Sequence, residues 1–519
     1  MLRHRQILAA AAFALLAACQ TPPASKQSTA AARPSLDAIQ TIVVIYAENR
    51  SFDNLYGYFP GANGLQNLKP EQYLQRDRDG SVLKTLPPVP NALTTASDPK
   101  SIPTEATRGH PNRSYALDDP NGYAVTLDYQ LHDLIHAFYN EQMQINGGRN
   151  DLFAAYSDAG GETMGHFDGS KMALWKIAQK YTLADNFFHG AFGSSFLNHQ
   201  YLICACAPFD FKTKADPKTY EGNVSIVNDD GVSLKLDPQS PASSLDGPPK
   251  YARYGTLTPD FYAVNTMQPP YQPSGNTAVK GGDPRYADAD KRNTLSAQVA
   301  ETIGERLSAA NVGWAWYAGA WQVALDEGKE LSRIAFQYHH QPFNYYANYA
   351  PGKPARAEHL RDGGMDGAKL IADIDAGKLP PVTFYKPQGN LNQHAGYANI
   401  AAGDAHIADV IAHLEKSPQW QHMLVVVTYD ENGGWWDHVA PPKGDRWGPG
   451  LRIPTIIVSP FAKRGYVDHT QYDTGSIQRL INRRFGLAPL PGIEQRDAAL
   501  KANGAAPMGD LTAALELPK

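Results

Sequence analysis

The sequence predicts an α/β fold with a mostly parallel central sheet flanked by helices, and three observations carry that reading. First, four short apolar, β-branched runs stand between turn residues: Thr41–Ala47, Pro381–Tyr385, Leu424–Tyr429 and Ile453–Ser459. They lack the period-two alternation of a half-exposed sheet, so they read as strands buried on both faces. Second, Asp168–Gln179, Ser296–Ala310, Asp404–Lys416 and Thr474–Phe485 carry apolar residues at three-to-four spacing, each opening on a residue suited to cap a helix. Strands interleaved with helices are the pattern of a parallel sheet. Third, residues of about 60–128 and 208–292 are rich in Pro, Gly, Asp, Asn and Tyr and read as large loop insertions over one face.

Taken in order, the chain opens on a leader. Arg3 and Arg5 precede an apolar run from Ile7 to Ala18, the layout of a secretory signal, and that run is too short to span a bilayer. Leu16-Ala17-Ala18-Cys19 resembles the lipobox of bacterial lipoproteins, which predicts cleavage after residue 18, acylation of Cys19 and an exported, membrane-anchored chain facing the periplasm or cell surface; ordinary cleavage nearby is the alternative. Residues 19–38, rich in Pro, Ala and Ser, read as a flexible tether, and 39–519 as one domain. Cys204 and Cys206, one residue apart in an apolar run, read as buried thiols rather than a disulfide or metal pair. The 519 residues carry a formal net charge of −5 with no dense Lys/Arg run, so nucleic acid is not an expected partner.

The chemistry gathers where strands end. The first strand runs into Glu48-Asn49 and the third into Asp430-Glu431-Asn432, so parallel strands deliver acidic and amide oxygens to the carboxyl edge, where open α/β sheets bind ligands. Converging carboxylates repel one another, and a hard or borderline divalent cation would reconcile them; solvated strand-end acids are the other reading. The segment Asp185–Gln200, DNFFHGAFGSSFLNHQ, places two Ser at a Gly-rich turn before an apolar run. Such a Ser is either a helix cap or a nucleophile beside the N–H groups of a helix N-terminus. Histidines in polar loops, His136, His339, His340, His394 and His438, are candidates for binding anionic oxygens or for proton transfer.

Taken together, AENRSFDNLYGYF (47–59), NGGRND (146–151), GSSFLNHQYL (193–202), YDENGGWWDHVAPP (429–442) and the segment 452–486 resemble the bacterial phosphoesterase family of phospholipases C and acid phosphatases, over most of residues 40–490. The resemblance implies an alkaline-phosphatase-like fold with the insertions over the active-site edge, and a Ser or Thr nucleophile at a metal. It places Ser195 as nucleophile, Glu48, Asn49, Asp430, Glu431 and Ser195 as ligands of one divalent ion of unknown identity, His340 and His394 as catalytic, and His136, His339, Asn198 and His438 as substrate-binding. Ser, Leu and His replace the Thr, Pro and Arg of the T-x-P-N-R string of phospholipase members, which leaves the phosphate-clamping Arg without a counterpart.

HHQPFNYY, NQHAGYANI and GSSFLNHQYLICAC resemble the acid-phosphatase branch more closely, which favours hydrolysis of phosphate monoesters through a phosphoserine. The alternative is a phospholipase C acting on phosphodiesters such as phosphatidylcholine, with tyrosines such as Tyr338, Tyr345, Tyr346 and Tyr349 cradling a choline headgroup, or simply packing. Oligomeric state is not legible in the sequence.

Overall fold

The computed structural model describes residues 35–90, 93, 102–327 and 335–518. The leader 1–18, Cys19 and the tether up to residue 34 lie outside the described residues. The last residues assigned to the tether are folded: Ser35 caps a single 3-10 turn, Leu36–Ala38, and Leu36 is buried.

Eight strands form one sheet: β1 Thr41–Ala47, β2 Thr182–Ala184, β3 Trp314–Gly319, β4 Leu360–Gly364, β5 Val382–Lys386, β6 Met423–Tyr429, β7 Thr455–Val458 and β8 Tyr466–Asp468. Their spatial order is β8-β2-β7-β6-β1-β5-β3-β4. All neighbours are parallel except those of β7, which runs antiparallel to both β6 and β2. Every residue of β1, β5 and β6 is buried, as strands covered on both faces must be.

The helices that matter for the site are α1 Phe52–Tyr56, α2 Phe138–Ile145, α3 Ala173–Lys180, α4 Ser195–Cys204, α5 Ile303–Ala309, α6 Ala368–Asp375, α7 Ile400–Lys416 and α8 Thr474–Phe485. α7 packs on α3 and α6, while α4 packs on α8 and α5. Capping fixes boundaries that periodicity misplaces. Thr302 and Glu305 form a capping box, so α5 starts at Ile303 rather than Ser296. Asp404 lies inside α7, which Asn399 caps; its carboxylate instead accepts the N–H groups of Ala173 and Leu174 and so caps α3.

Cys204 and Cys206 are joined by a disulfide, which corrects the expectation of free thiols. α4 ends at Cys204 and Ala205 turns left-handed (φ 49°), which brings the two Cα atoms to 5.1 Å, within bridging range. The second insertion contributes Tyr254, Thr256, Asn265 and Thr266 to the wall of a cleft at the carboxyl edge of the sheet, whereas no described residue of 60–128 lines it.

Candidate active site

The register of the sheet builds the site. Ala47 pairs with Tyr429 across parallel ladders, so Glu48 and Asp430, each one step further along, emerge side by side, while Ile45 pairs with Tyr385, so Lys386 comes level with Tyr46 and reaches Glu48 with its side chain. The Asn49 N–H donates to Asp430 Oδ1 (3.1 Å) across 381 residues of chain. Asn49 itself is left-handed (φ 61°), and Gly433 lies so close that a Cβ there would sit 2.4 Å from the Asn49 carbonyl.

Ser195 opens α4, a ten-residue helix that is buried throughout. Its hydroxyl lies 3.2 Å from Asn49 Oδ1 and 3.2 Å from Glu431 Oε1. It also lines the cleft, of about 510 Å³, together with Ser194, His136, His339, His394 and Tyr397. The orphan N–H groups and dipole of the α4 N-terminus therefore point to where an anionic group would sit.

Glu48 is fully buried and held from three sides. Lys386 Nζ lies 2.6 Å and His340 Nε2 2.5 Å from its Oε1, and the Tyr397 hydroxyl donates to Oε2 at 3.0 Å. Burial works against its charge, yet Lys386 and His340 hold its carboxyl well below the usual range. Asp430 and Glu431 behave oppositely. Burial pushes Asp430 up to about 6, with Glu48 adding to the rise; it pushes Glu431 up to about 7, with His136 pulling back. Burial alone would lower His136, but Glu431 and Asp133 raise it to about 9.

Several buried atoms around this point make no hydrogen bond among the described residues: Asp430 Oδ2, His199 Nε2, His340 Nδ1 and both ring nitrogens of His339. Buried polar groups are ordinarily paired, so a convergent set of orphans marks a place for a ligand. Glu48, His199 and Asp430 present ligand atoms within 4.8 Å of one another, as do Glu48, His339 and His340. Carboxylate oxygens with an amide oxygen, a hydroxyl and imidazoles suit a divalent cation.

Not every sequence-predicted residue meets in the cleft. His340 stands behind Glu48, 1% exposed, and burial lowers its pKa to about 4. Asn198 is spent on the backbone of the preceding turn, accepting from Ala191 N and donating to Ala191 O, each at 2.9 Å. His438 lies in a second cluster, its Nδ1 2.6 Å from Asp53 Oδ2. Tyr345, Tyr346 and Tyr349 are core residues; the Tyr345 hydroxyl donates to Met267 O and that of Tyr346 to Gln200 Oε1. Sequence reasoning missed Lys386, Tyr397 and Asp133. Lys386 carried a signal, since it closes a buried strand beside the one that delivers Glu48.

Comparison with known proteins places the chain. Non-hemolytic phospholipase C of Burkholderia pseudomallei (strain K96243) is 24% identical over 86% of this chain, which spans 55% of that relative, so about half its length. Phospholipase C B of Mycobacterium tuberculosis (strain ATCC 25618 / H37Rv) is 23% identical over 90% of this chain and 77% of its own. Among solved structures, a protein in the alkaline phosphatase superfamily from Vibrio parahaemolyticus is similar with a TM-score of 0.32 and 7% identity, covering 73% of this chain and 67% of that one. The Phosphoesterase family matches residues 39–488, a span that takes in the strand-end acids, the Ser195 turn and the whole sheet, and the chain belongs to that family.

Proposed function

We propose that the protein is a metal-dependent hydrolase of phosphoric esters that uses Ser195 as nucleophile and favours phosphodiesters, as a phospholipase C does. The observation that carries the reading is the Ser195 hydroxyl at the α4 N-terminus, 3.2 Å from two acceptors on the floor of a histidine-lined cleft. The curated relatives are phospholipases C, which supports the diester reading better than the monoester reading drawn from the acid-phosphatase-like motifs.

Glu48, Asn49, Ser195, Asp430 and Glu431 would hold the metal. When bound, it supplies Lewis-acid polarisation and offsets the carboxylate charge. The residues do the rest. The Ser195 proton passes to Glu431 Oε1 as Oγ attacks phosphorus in line. The α4 N-terminus and the imidazoles of His136 and His339 face the developing charge on the phosphoryl oxygens. His394, whose Nδ1 is tied to the Ala395 carbonyl, presents Nε2 to protonate the leaving alkoxide. Water then attacks the phosphorus of the phosphoserine, the P–Oγ bond breaks, the proton held by Glu431 returns to Ser195 Oγ, and the phosphorylated product leaves. His340 acts on Glu48 rather than on substrate.

The test compares turnover of p-nitrophenylphosphorylcholine with that of p-nitrophenyl phosphate by residues 20–519, beside a Ser195→Ala control. Faster diester turnover, lost in the control, supports the proposal. Monoester turnover alone moves the assignment to an acid phosphatase, and activity that survives Ser195→Ala removes the nucleophile. The lipid anchor on Cys19 is a separate proposal: fatty-acid labelling of the wild type that Cys19→Ala abolishes supports it, and absence of label in both ends it.

A further inference from the structure

We infer that Glu141 and His189, which no motif singled out, are positioning residues that set the Ser195 turn; the inference rests on Ser195 being the nucleophile. Glu141 projects from α2, is fully buried, and gathers three donors on one carboxylate. His189 Nε2 (2.8 Å) and the Leu451 N–H (3.1 Å) reach Oε1, and the Gly193 N–H donates to Oε2. His189 Nδ1 in turn donates to the Ala191 carbonyl at 2.8 Å. The pair therefore grips the turn at Ala191 and Gly193, while Asn198 grips Ala191 from α4.

Steric fit makes the grip specific. Gly193 is left-handed (φ 59°), and a Cβ there would lie 2.3 Å from the Ala137 carbonyl carbon, at the start of α2. Gly450 lies against the imidazole, where a Cβ would come within 2.0 Å of His189 Cε1. The turn that presents Ser195 is thus seated on the N-terminus of α2 and tied two residues before the nucleophile. Neither Glu141 nor His189 lines the cleft, so they act through the turn and not on substrate. A buried ion pair adds little net stability over apolar packing, and its value lies in fixing one geometry.

Glu141→Gln tests this with little change of shape. An amide has one acceptor oxygen, so its NH₂ must face either the Gly193 N–H or the His189 and Leu451 donors. The expected result is a fall in kcat of about 10²-fold with KM within about twofold, the signature of a displaced nucleophile, and metal content equal to wild type. The structural comparator is Asp404→Asn, which also removes a buried carboxylate that accepts two backbone N–H groups (2.7 and 2.9 Å), but from α7 onto the N-terminus of α3. It should lower Tm and leave kcat unchanged. His189→Gln keeps a donor toward Glu141 and loses the one to Ala191, so an intermediate fall in kcat is expected, and it decides the matter if Glu141→Gln does not fold. Wild-type kcat in the folded variants overturns the inference, as does a loss of kcat in Asp404→Asn matching theirs. Turnover that survives Ser195→Ala would instead overturn the nucleophile reading, a result distinguishable because it needs neither variant.

Discussion

Residues 48–53 and 430–438 each feed two buried clusters, and the clusters end in opposite electrostatic states. Glu48, Asn49, Asp430 and Glu431 go to the Ser195 site, while Asp53, Asp437 and His438 go to a second site a few residues further along both segments. In the second cluster every charge is answered. Arg452 Nε donates to Asp437 Oδ1 (2.9 Å), its Nη2 lies 3.1 Å from both Asp53 Oδ1 and Asp437 Oδ2, and its Nη1 donates to the Asn63 and Asp185 carbonyls at 2.8 Å. His438 gives Asp53 both its N–H and its ring Nδ1. The guanidinium stands where a metal would, and the cluster has no unpaired polar atom among the described residues. The Ser195 cluster has several such atoms and opens on a cleft. Similar residue types thus make a joint where Arg452 answers both carboxylates and a candidate reaction site where Lys386 answers Glu48 while Asp430 Oδ2 is left without a hydrogen-bond donor among the described residues.

The largest effect belongs to Ser195→Ala, which should cost at least about 10³-fold in kcat, since a nucleophile has no substitute, and leave Tm near wild type. Retained turnover would make the open cluster a binding site only. Metal removal comes next. Chelation should abolish turnover and lower stability by about 3 kcal/mol relative to protein held at a hundredfold excess over Kd, because a ligand bound only to the native state adds its binding free energy. Asp430→Asn should reduce bound metal by elemental analysis while Asp437→Asn leaves it unchanged; equal metal content in both would mean that the orphaned oxygens hold no ion. In the closed cluster, Asp437→Asn strips Arg452 of its main partner and should cost about 3–5 kcal/mol by urea denaturation, with the folded protein still turning over substrate.

The strand-end acids of the open cluster are legible in the sequence, and the reason is geometric; the closed cluster is not, since the sequence reading assigns His438 to the substrate and the structure pairs it with Asp53. Buried parallel strands at Thr41–Ala47 and Met423–Tyr429 read directly from their unbroken apolar runs, and the residues leaving the carboxyl ends of such strands must share one edge of the sheet. The motif DENGGWWDHV did not reveal its division of labour, because the switch from the open to the closed cluster depends on the left-handed turn at Gly433 and Gly434 and on Arg452, fourteen residues beyond His438. β4, LRDGG, has no strand signature; among the described residues it pairs only with β3, and its fit is set by that neighbour. Glu141 lies in FYNEQMQI, an ordinary amphipathic stretch, and acquires meaning only when Gly193 and Leu451 arrive from elsewhere.

The smallest effect concerns whether the closed cluster behaves as a set of paired charges. Burial alone would lower the His438 pKa, but Asp53 beside it, with Asp437 adding, raises it, and the His438 side chain is only 4% exposed. A group whose folded-state pKa exceeds its unfolded value contributes stability that is fully present below the unfolded pKa, about 6.5 for histidine, and is lost as pH rises through the folded one. Asp53 is shifted the other way: burial opposes its charge, yet His438 and Arg452 lower it, so its contribution is lost only as pH falls through the acid range. His438→Gln should therefore narrow the wild-type advantage in Tm on the alkaline side of 6.5, by about 2 °C or less, and leave the acid limb dominated by Asp53. A wild-type advantage that is the same at pH 6 and pH 9 would show that folding does not raise the His438 pKa, and that Arg452 alone closes the cluster.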